Sequence, residues 1–284
     1  MRVAIFLRGH ARTWNLIKNE TINLFNTLYD NPDWYIAMWD SGTVRDESVY
    51  EDFKQHNIIY LSTTIKENAA IIRNGLIVQS IDYPSIFKNN NYLKIGYLDS
   101  ILSRAKRIRE VKFNFEYDYV IFIRPDILYS IEESNYKHLR RKIYSLEVTN
   151  LDINYNDTKD DYPMSSDFFM KAGSAASNIF CSRVFDTELT LNKNNLYIAN
   201  PHHKLTSFYM KHKLIYYRSG MVEPMIIRPD YLDFLNGKLE YDKTVEVDSH
   251  RFAHNWKRLT EEQNHKELKR YMDQHNISYK DYLF

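Results

Sequence analysis

Apolar residues run along this chain in a few unbroken blocks with helically spaced stretches between them, a pattern that predicts alternating strands and helices. The block Tyr119, Val120, Ile121, Phe122, Ile123 has no polar alternation and predicts a strand buried on both faces of a parallel or mixed sheet. Pro125 has no N–H for an interior ladder. The strand is therefore expected to stop at Arg124, leaving Arg124 and Asp126 on the rim where α/β sheets bind ligands. Residues 3–7 and 34–39 form two more such blocks, each running into a glycine-bearing turn, Arg8-Gly9-His10 and Asp40-Ser41-Gly42. Leu16, Leu24 and Leu28 carry helical spacing after the first turn. Residues 58–61 read as a further strand, 67–79 as a helix or mixed segment, and 80–91 as a loop. Over residues 92–113, Leu93, Tyr97, Ile101, Leu102, Ala105 and Ile108 mark one face of a helix, with Arg104, Lys106, Arg107 and Arg109 on the other. A polar loop over 150–161 follows, then a strand entered through Asp167 and ending before Gly173. Near the end, Thr260-Glu261-Glu262-Gln263 matches a capping box that opens a terminal helix.

Composition narrows the function classes. With 284 residues and 44% hydrophobic content the chain can bury a full core. The expected division is a nucleotide-binding half (1–149), an acceptor-side half of the same domain (150–258) and a helical tail (259–284). A net charge of +1 supplies no global field toward nucleic acid or an anionic membrane, so any such affinity is local. Cys181 is the sole cysteine, which excludes an intrachain disulfide and a cysteine-built metal site. The apolar run at 3–7 is too short for a signal-peptide core and no stretch reaches membrane-spanning length, so the expectation is a cytoplasmic protein. Seven glycines, 23 tyrosines and many Asn and Lys fit AT-rich coding, as in many viruses. Neither G-x-G-x-x-G nor a P-loop is present, leaving a dehydrogenase or kinase without a motif.

The candidate chemistry gathers at the strand ends. A carboxylate at Asp126 suits a divalent metal held against a diphosphate, and the Arg124 guanidinium suits orienting that carboxylate or gripping a phosphate oxygen. Residue types alone equally allow a surface salt bridge. Gly9 permits close backbone approach before a helix N-terminus that favours anions, while Arg8 and Arg12, taken singly, read as solvated turn residues.

The stretch ending in Arg124-Pro125-Asp126 resembles the metal-binding segment of GT-A glycosyltransferases, with Arg-Pro-Asp in place of the usual Asp-x-Asp. The first strand and its R-G-H-x-R-T turn are similar to the opening of GT-A-like transferases that carry such a strand; the resemblance spans roughly residues 1–180. It implies a GT-A-like, Rossmann-like α/β fold: a mixed or parallel central sheet flanked by helices, with a C-terminal acceptor-side region. It places Arg8, Gly9 and Arg12 at the nucleotide, Trp39 and Asp40 on the base or ribose, and Arg104 and Arg124 at the diphosphate of a UDP-sugar. Asp126 then takes manganese or magnesium, with His250 or His254 as a further ligand, and Asp167 is the general base. Each has a plainer alternative: a buried tryptophan, a turn-forming or capping acid, a solvated basic face, a structural histidine.

The acceptor side offers one local feature. Residues 189–222 contain no acid, and Lys204, Lys211 and Lys213 lie there among histidines and aromatics. Such a segment suits a polyanion, and a solvated helix beside a tyrosine-rich strand accounts for it equally. The expected function is transfer of a sugar from a nucleotide-sugar to a hydroxyl, of a glycan or of hydroxymethylated bases in viral DNA. The alternative is a non-catalytic sugar- or polyanion-binding protein on a degenerate GT-A fold.

Overall fold

Strand and helix alternate from the first residues of the chain. The computed structural model describes residues 1–11, 13–39, 46–63, 71–73, 76–80, 91–144, 146–150, 165–183, 216–219 and 222–226. In order these form β1 (Val3–His10), α1 (Trp14–Tyr29), β2 (Asp33–Trp39), α2 (Asp46–Phe53), β3 (Ile58–Thr63), β4 (Ile71–Arg73), β5 (Leu76–Ser80) and α3 (Asn91–Phe113). There follow β6 (Tyr119–Ile123), β7 (Ile127–Ser130), α4 (Tyr136–Leu139), β8 (Leu146–Asn150), β9 (Ser165–Ala172), α5 (Ser174–Cys181), β10 (Tyr216–Ser219) and β11 (Glu223–Ile226).

The protein is a mixed α/β fold. Its main sheet has the order β10-β8-β9-β6-β1-β2-β3-β5-β4, and β7 and β11 make a small antiparallel pair beside it. β1 pairs in parallel with both β2 and β6, whereas β9 runs antiparallel to β6 and β8, and β4 antiparallel to β5. The carboxyl ends of β1, β2, β3 and β6 therefore share one edge, and β9 enters the sheet from that edge.

Alternation along the central strands builds a core on each face. Val3, Ile5 and Leu7 pack with Trp34, Ile36, Tyr119, Ile121 and α1 on one side, and Ala4 and Phe6 pack with Tyr35, Val120, Phe122, α3 and α5 on the other. All five residues of β6 are buried, as a strand covered on both faces must be. The predicted strand is thus observed over Tyr119–Ile123, its last residue the one directly before Arg124.

Two sequence expectations are corrected. Of the helix or mixed segment expected within 67–79, the helical alternative gives way to two short strands among the described residues: the β-branched Ile71 and Ile72 pair with Val78 and Ile77, and the intervening sequence Asn74-Gly75 is a dipeptide that favours two-residue hairpins. The buried face of α3 is also turned from the expected one. Ile95, Leu98, Asp99, Leu102, Ser103, Lys106 and Glu110 are buried, while Ile108 is exposed. The charged side chains face inward because each finds a partner there: Lys106 donates to Glu110 (2.9 Å) and to Ser174, and Ser174 donates to the other oxygen of Glu110 (2.7 Å). Gly173, just before α5, lets the backbone of Ile143 and Tyr144 pack closely, since a Cβ there would lie 2.7 Å from the Ile143 carbonyl oxygen.

Candidate functional site at the carboxyl edge

β1 runs past its apolar block to His10, so the first turn's Arg8 and Gly9 are strand residues. Arg8 has the parity of Ala4 and Phe6 and points to the α3 side. Its Nε donates to Asp99 Oδ1 at 3.0 Å, its Nη1 donates to the Ile123 carbonyl at 3.3 Å, and neither Arg8 nor Asp99 is exposed to solvent. Arg183, just beyond α5, donates from Nη2 to the second oxygen of Asp99, and its guanidinium lies 3.9 Å from the centre of the Phe180 ring. One buried carboxylate thus joins two buried guanidiniums, one from β1 and one from just beyond α5, in a region of weak screening.

Gly9 faces the opposite way with φ +131°, a conformation that L side chains rarely adopt. A Cβ there would come 3.4 Å from Pro125 Cδ and 3.8 Å from Arg124 Cγ. The glycine of the first motif thus lies directly against the proline and arginine of the second.

Arg124 is fixed from three directions. Its Nε and Nη2 donate to the two oxygens of Asp126, each at 2.9 Å, in a bidentate pair. Its backbone N–H donates to the Tyr129 hydroxyl (2.7 Å), which in turn donates to the Phe168 carbonyl on β9 (2.8 Å). Burial holds the Tyr129 hydroxyl protonated by raising its pKa, in keeping with its donor role. Finally, the Arg124 guanidinium sits 5.4 Å from the centre of the Phe168 ring. Asp126 has no exposure, whereas the Arg124 side chain keeps 11%. On the neighbouring strand, Trp39 packs edge-on to His10 with ring centres 5.7 Å apart, and the Lys94 ammonium of α3 lies 5.9 Å from the Trp39 ring centre.

Of the residues singled out in the sequence, Arg8, Gly9, Trp39, Arg124 and Asp126 come together on this edge. The backbone of Asp167 joins them, one residue before Phe168. Arg8 is a buried strand residue and not a solvated turn residue, and its Nε and Nη1 donate to Asp99 and to the Ile123 carbonyl. Arg104 lies apart, exposed in a cleft between α3 and α5. Arg12, Asp40, Lys204, Lys211, Lys213, His250 and His254 lie outside the described residues, as does the side chain of Asp167. Sequence reading missed Asp99, Tyr129 and Arg183. Asp99 was hidden by its place on a helix whose charges were assigned to solvent, while Tyr129, the first polar group after the Arg-Pro-Asp turn, was legible as a candidate.

No protein-family model matches the chain and no curated protein matches it. Among solved structures, the galactosyltransferase LgtC in complex with donor and acceptor sugar analogues is similar at 11% identity over 75% of this chain and 72% of that one, with a TM-score of 0.39. An active-site mutant of LgtC is similar over the same shares at 11% identity and a TM-score of 0.40. Likenesses this loose transfer no activity to this chain.

Proposed function

We propose that the protein is a sugar-nucleotide-dependent glycosyltransferase, with a UDP-sugar bound at the carboxyl edge and transferred to a hydroxyl of a glycan. The observation that supports this most is the contact between the two motifs: Gly9, with its positive φ, packs on Pro125 and Arg124, so the two segments that resemble GT-A transferases meet at one place. Departure of a nucleoside diphosphate demands neutralisation of developing negative charge. Arg124 is the group suited to it, with its partly exposed guanidinium oriented by Asp126. Arg8, next to Gly9 on β1, is the further arginine assigned to this edge, held by Asp99. Trp39 offers an aromatic surface for the base, and Gly9, Arg12 and Asp40 complete the donor turns. Asp167, whose backbone stands at the same edge, is the proposed general base for the acceptor hydroxyl.

The resemblance also implies a divalent cation. The described residues do not fit one at Asp126, because Arg124 already engages both of its oxygens and no group of three potential ligands occurs among the described residues. His250 and His254 fall outside those residues, and no step is assigned to a metal. A hydroxymethylated DNA base as acceptor depends on Lys204, Lys211 and Lys213, which are likewise outside them.

A thermal-shift screen of UDP-sugars, with and without manganese, tests the donor site. A ligand at one hundred times its Kd stabilises by about 2.7 kcal/mol, so the melting temperature is expected to rise by several degrees. Slow donor hydrolysis without acceptor then separates an enzyme from a sugar-binding protein. A donor-induced shift with no hydrolysis or transfer would favour the binding protein, and no shift with any sugar nucleotide would remove the donor site.

A further inference from the structure

The outer face of α3 has a composition that a merely solvated helix does not need. Between Lys94 and Phe113 the helix holds two acids, Asp99 and Glu110, and both are buried. Every exposed charge on that stretch is therefore positive: Arg104, Arg107 and Lys112. None of the three forms an ion pair among the described residues, whereas solvated helices commonly intersperse both signs at i,i+4 spacing. The helix dipole accounts for Lys112 in the last turn but not for the apolar residues beside it.

Those apolar residues are the second observation. Three large hydrophobic side chains of α3 and the adjoining α5 are exposed here: Ile108 at 55%, Val111 at 82% and Ile179 at 40%. Phe113 belongs to another side of α3, where it lines a separate cleft with Arg109 and Asp33. Between the two helices lies a cleft of about 970 Å3, whose lining includes Ile101, Arg104, Arg107, Ile108, Val111 and Lys112. The described part of α5 adds no charge to this surface. Glu116, exposed just past the helix, acts on Lys142 and Lys106.

We propose that this face of α3, with the adjacent end of α5, docks the protein on an anionic bilayer surface. Exposed aliphatic groups interleaved with exposed cations suit the boundary between acyl chains and headgroups, where apolar side chains enter and cations meet lipid phosphates. A nucleic acid would instead be met by flat rings that stack on bases, and Ile108, Val111 and Ile179 have none. No helix among the described residues is long and apolar enough to span a bilayer, and the attachment proposed is reversible and peripheral. It does not depend on the glycosyltransferase reading.

Vesicle flotation of the full chain tests it. Vesicles of phosphatidylcholine containing roughly a third phosphatidylglycerol are expected to carry the protein upward, while pure phosphatidylcholine does not, and added salt should release it. Arg107→Glu is expected to weaken partitioning by at least about fivefold, the effect of one cation near such a surface. Val111→Asp should weaken it further while leaving the melting temperature unchanged, because that side chain is 82% exposed. Failure to float with anionic vesicles, equal flotation with neutral ones, or binding untouched by both variants would each overturn the proposal. The last outcome would place the contact elsewhere in the chain.

Discussion

Arg8 and Asp99 form a fully buried ion pair, 3.0 Å between Nε and Oδ1, that ties the first strand to α3 across 91 residues of chain. With Arg183 on the second oxygen, the carboxylate is the only anion in the described part of that cluster. Its removal leaves two guanidiniums buried side by side. Asp99→Ala is therefore expected to destabilise the fold by about 3–5 kcal/mol, the range for breaking a buried pair. Urea denaturation measures it, and a cost below about 1 kcal/mol would show that the arginines relax to solvent.

Gly9 makes a second prediction. Gly9→Ala combines a strained backbone with a Cβ placed 3.4 Å from Pro125 Cδ. It is expected to cost roughly 1–3 kcal/mol and to weaken donor binding, since the wedge acts on the turn that carries Arg124. Chemical denaturation alongside a UDP thermal shift separates the two effects; an unchanged shift would detach Gly9 from the donor site.

The Arg124–Asp126 pair predicts a coupled loss. Asp126→Asn removes the charge on the acceptor of a bidentate pair and should cost roughly 1.5–3 kcal/mol of stability, while abolishing the donor-induced shift through a misoriented Arg124. Arg124→Gln should abolish the same shift, and in the double variant the stability losses should sum to less than their separate values. Additive losses would mean that the two side chains do not act as a unit.

Lys171 on β9 gives a pH prediction away from the edge. Its ammonium donates to the carbonyls of His138 and Arg141 and lies 4.5 Å from the Tyr119 ring centre, and burial lowers its pKa to about 8. The unfolded chain keeps an ordinary lysine, near 10.4. Between these values the unfolded state holds a proton that the folded state has released, so this group makes stability rise with pH from about 8 to about 10. Below pH 8 that contribution is lost. Lys171→Met should flatten the slope, which denaturant midpoints across that window would reveal.

How far the sequence foretold this molecule depended on whether burial was advertised by apolar residues. β6 was legible because all five of its side chains are apolar and both faces are covered. The inner face of α3 was not, since Asp99, Lys106 and Glu110 are buried through partners distant in the chain, on β1 and α5. The same cause concealed half of the candidate site. Arg124, Asp126 and Gly9 stand in short local motifs, whereas Asp99 and Arg183 acquire meaning only once the sheet brings Arg8 to them.

The antiparallel setting of β9 has a bearing on how this architecture tolerates change. β8 arrives at the carboxyl edge, β9 departs from it, and α5 leads back to Arg183 beside Asp99, so residues 150, 165 and 183 all stand on the rim. The β9–α5 unit is an outward and return journey whose doorways open on the same threshold. Chain lengthened or shortened at those doorways would alter the surroundings of Arg124 first and reach the central strands last. The sheet can thus stay constant while the rim is free to vary in shape, and with it what the edge admits.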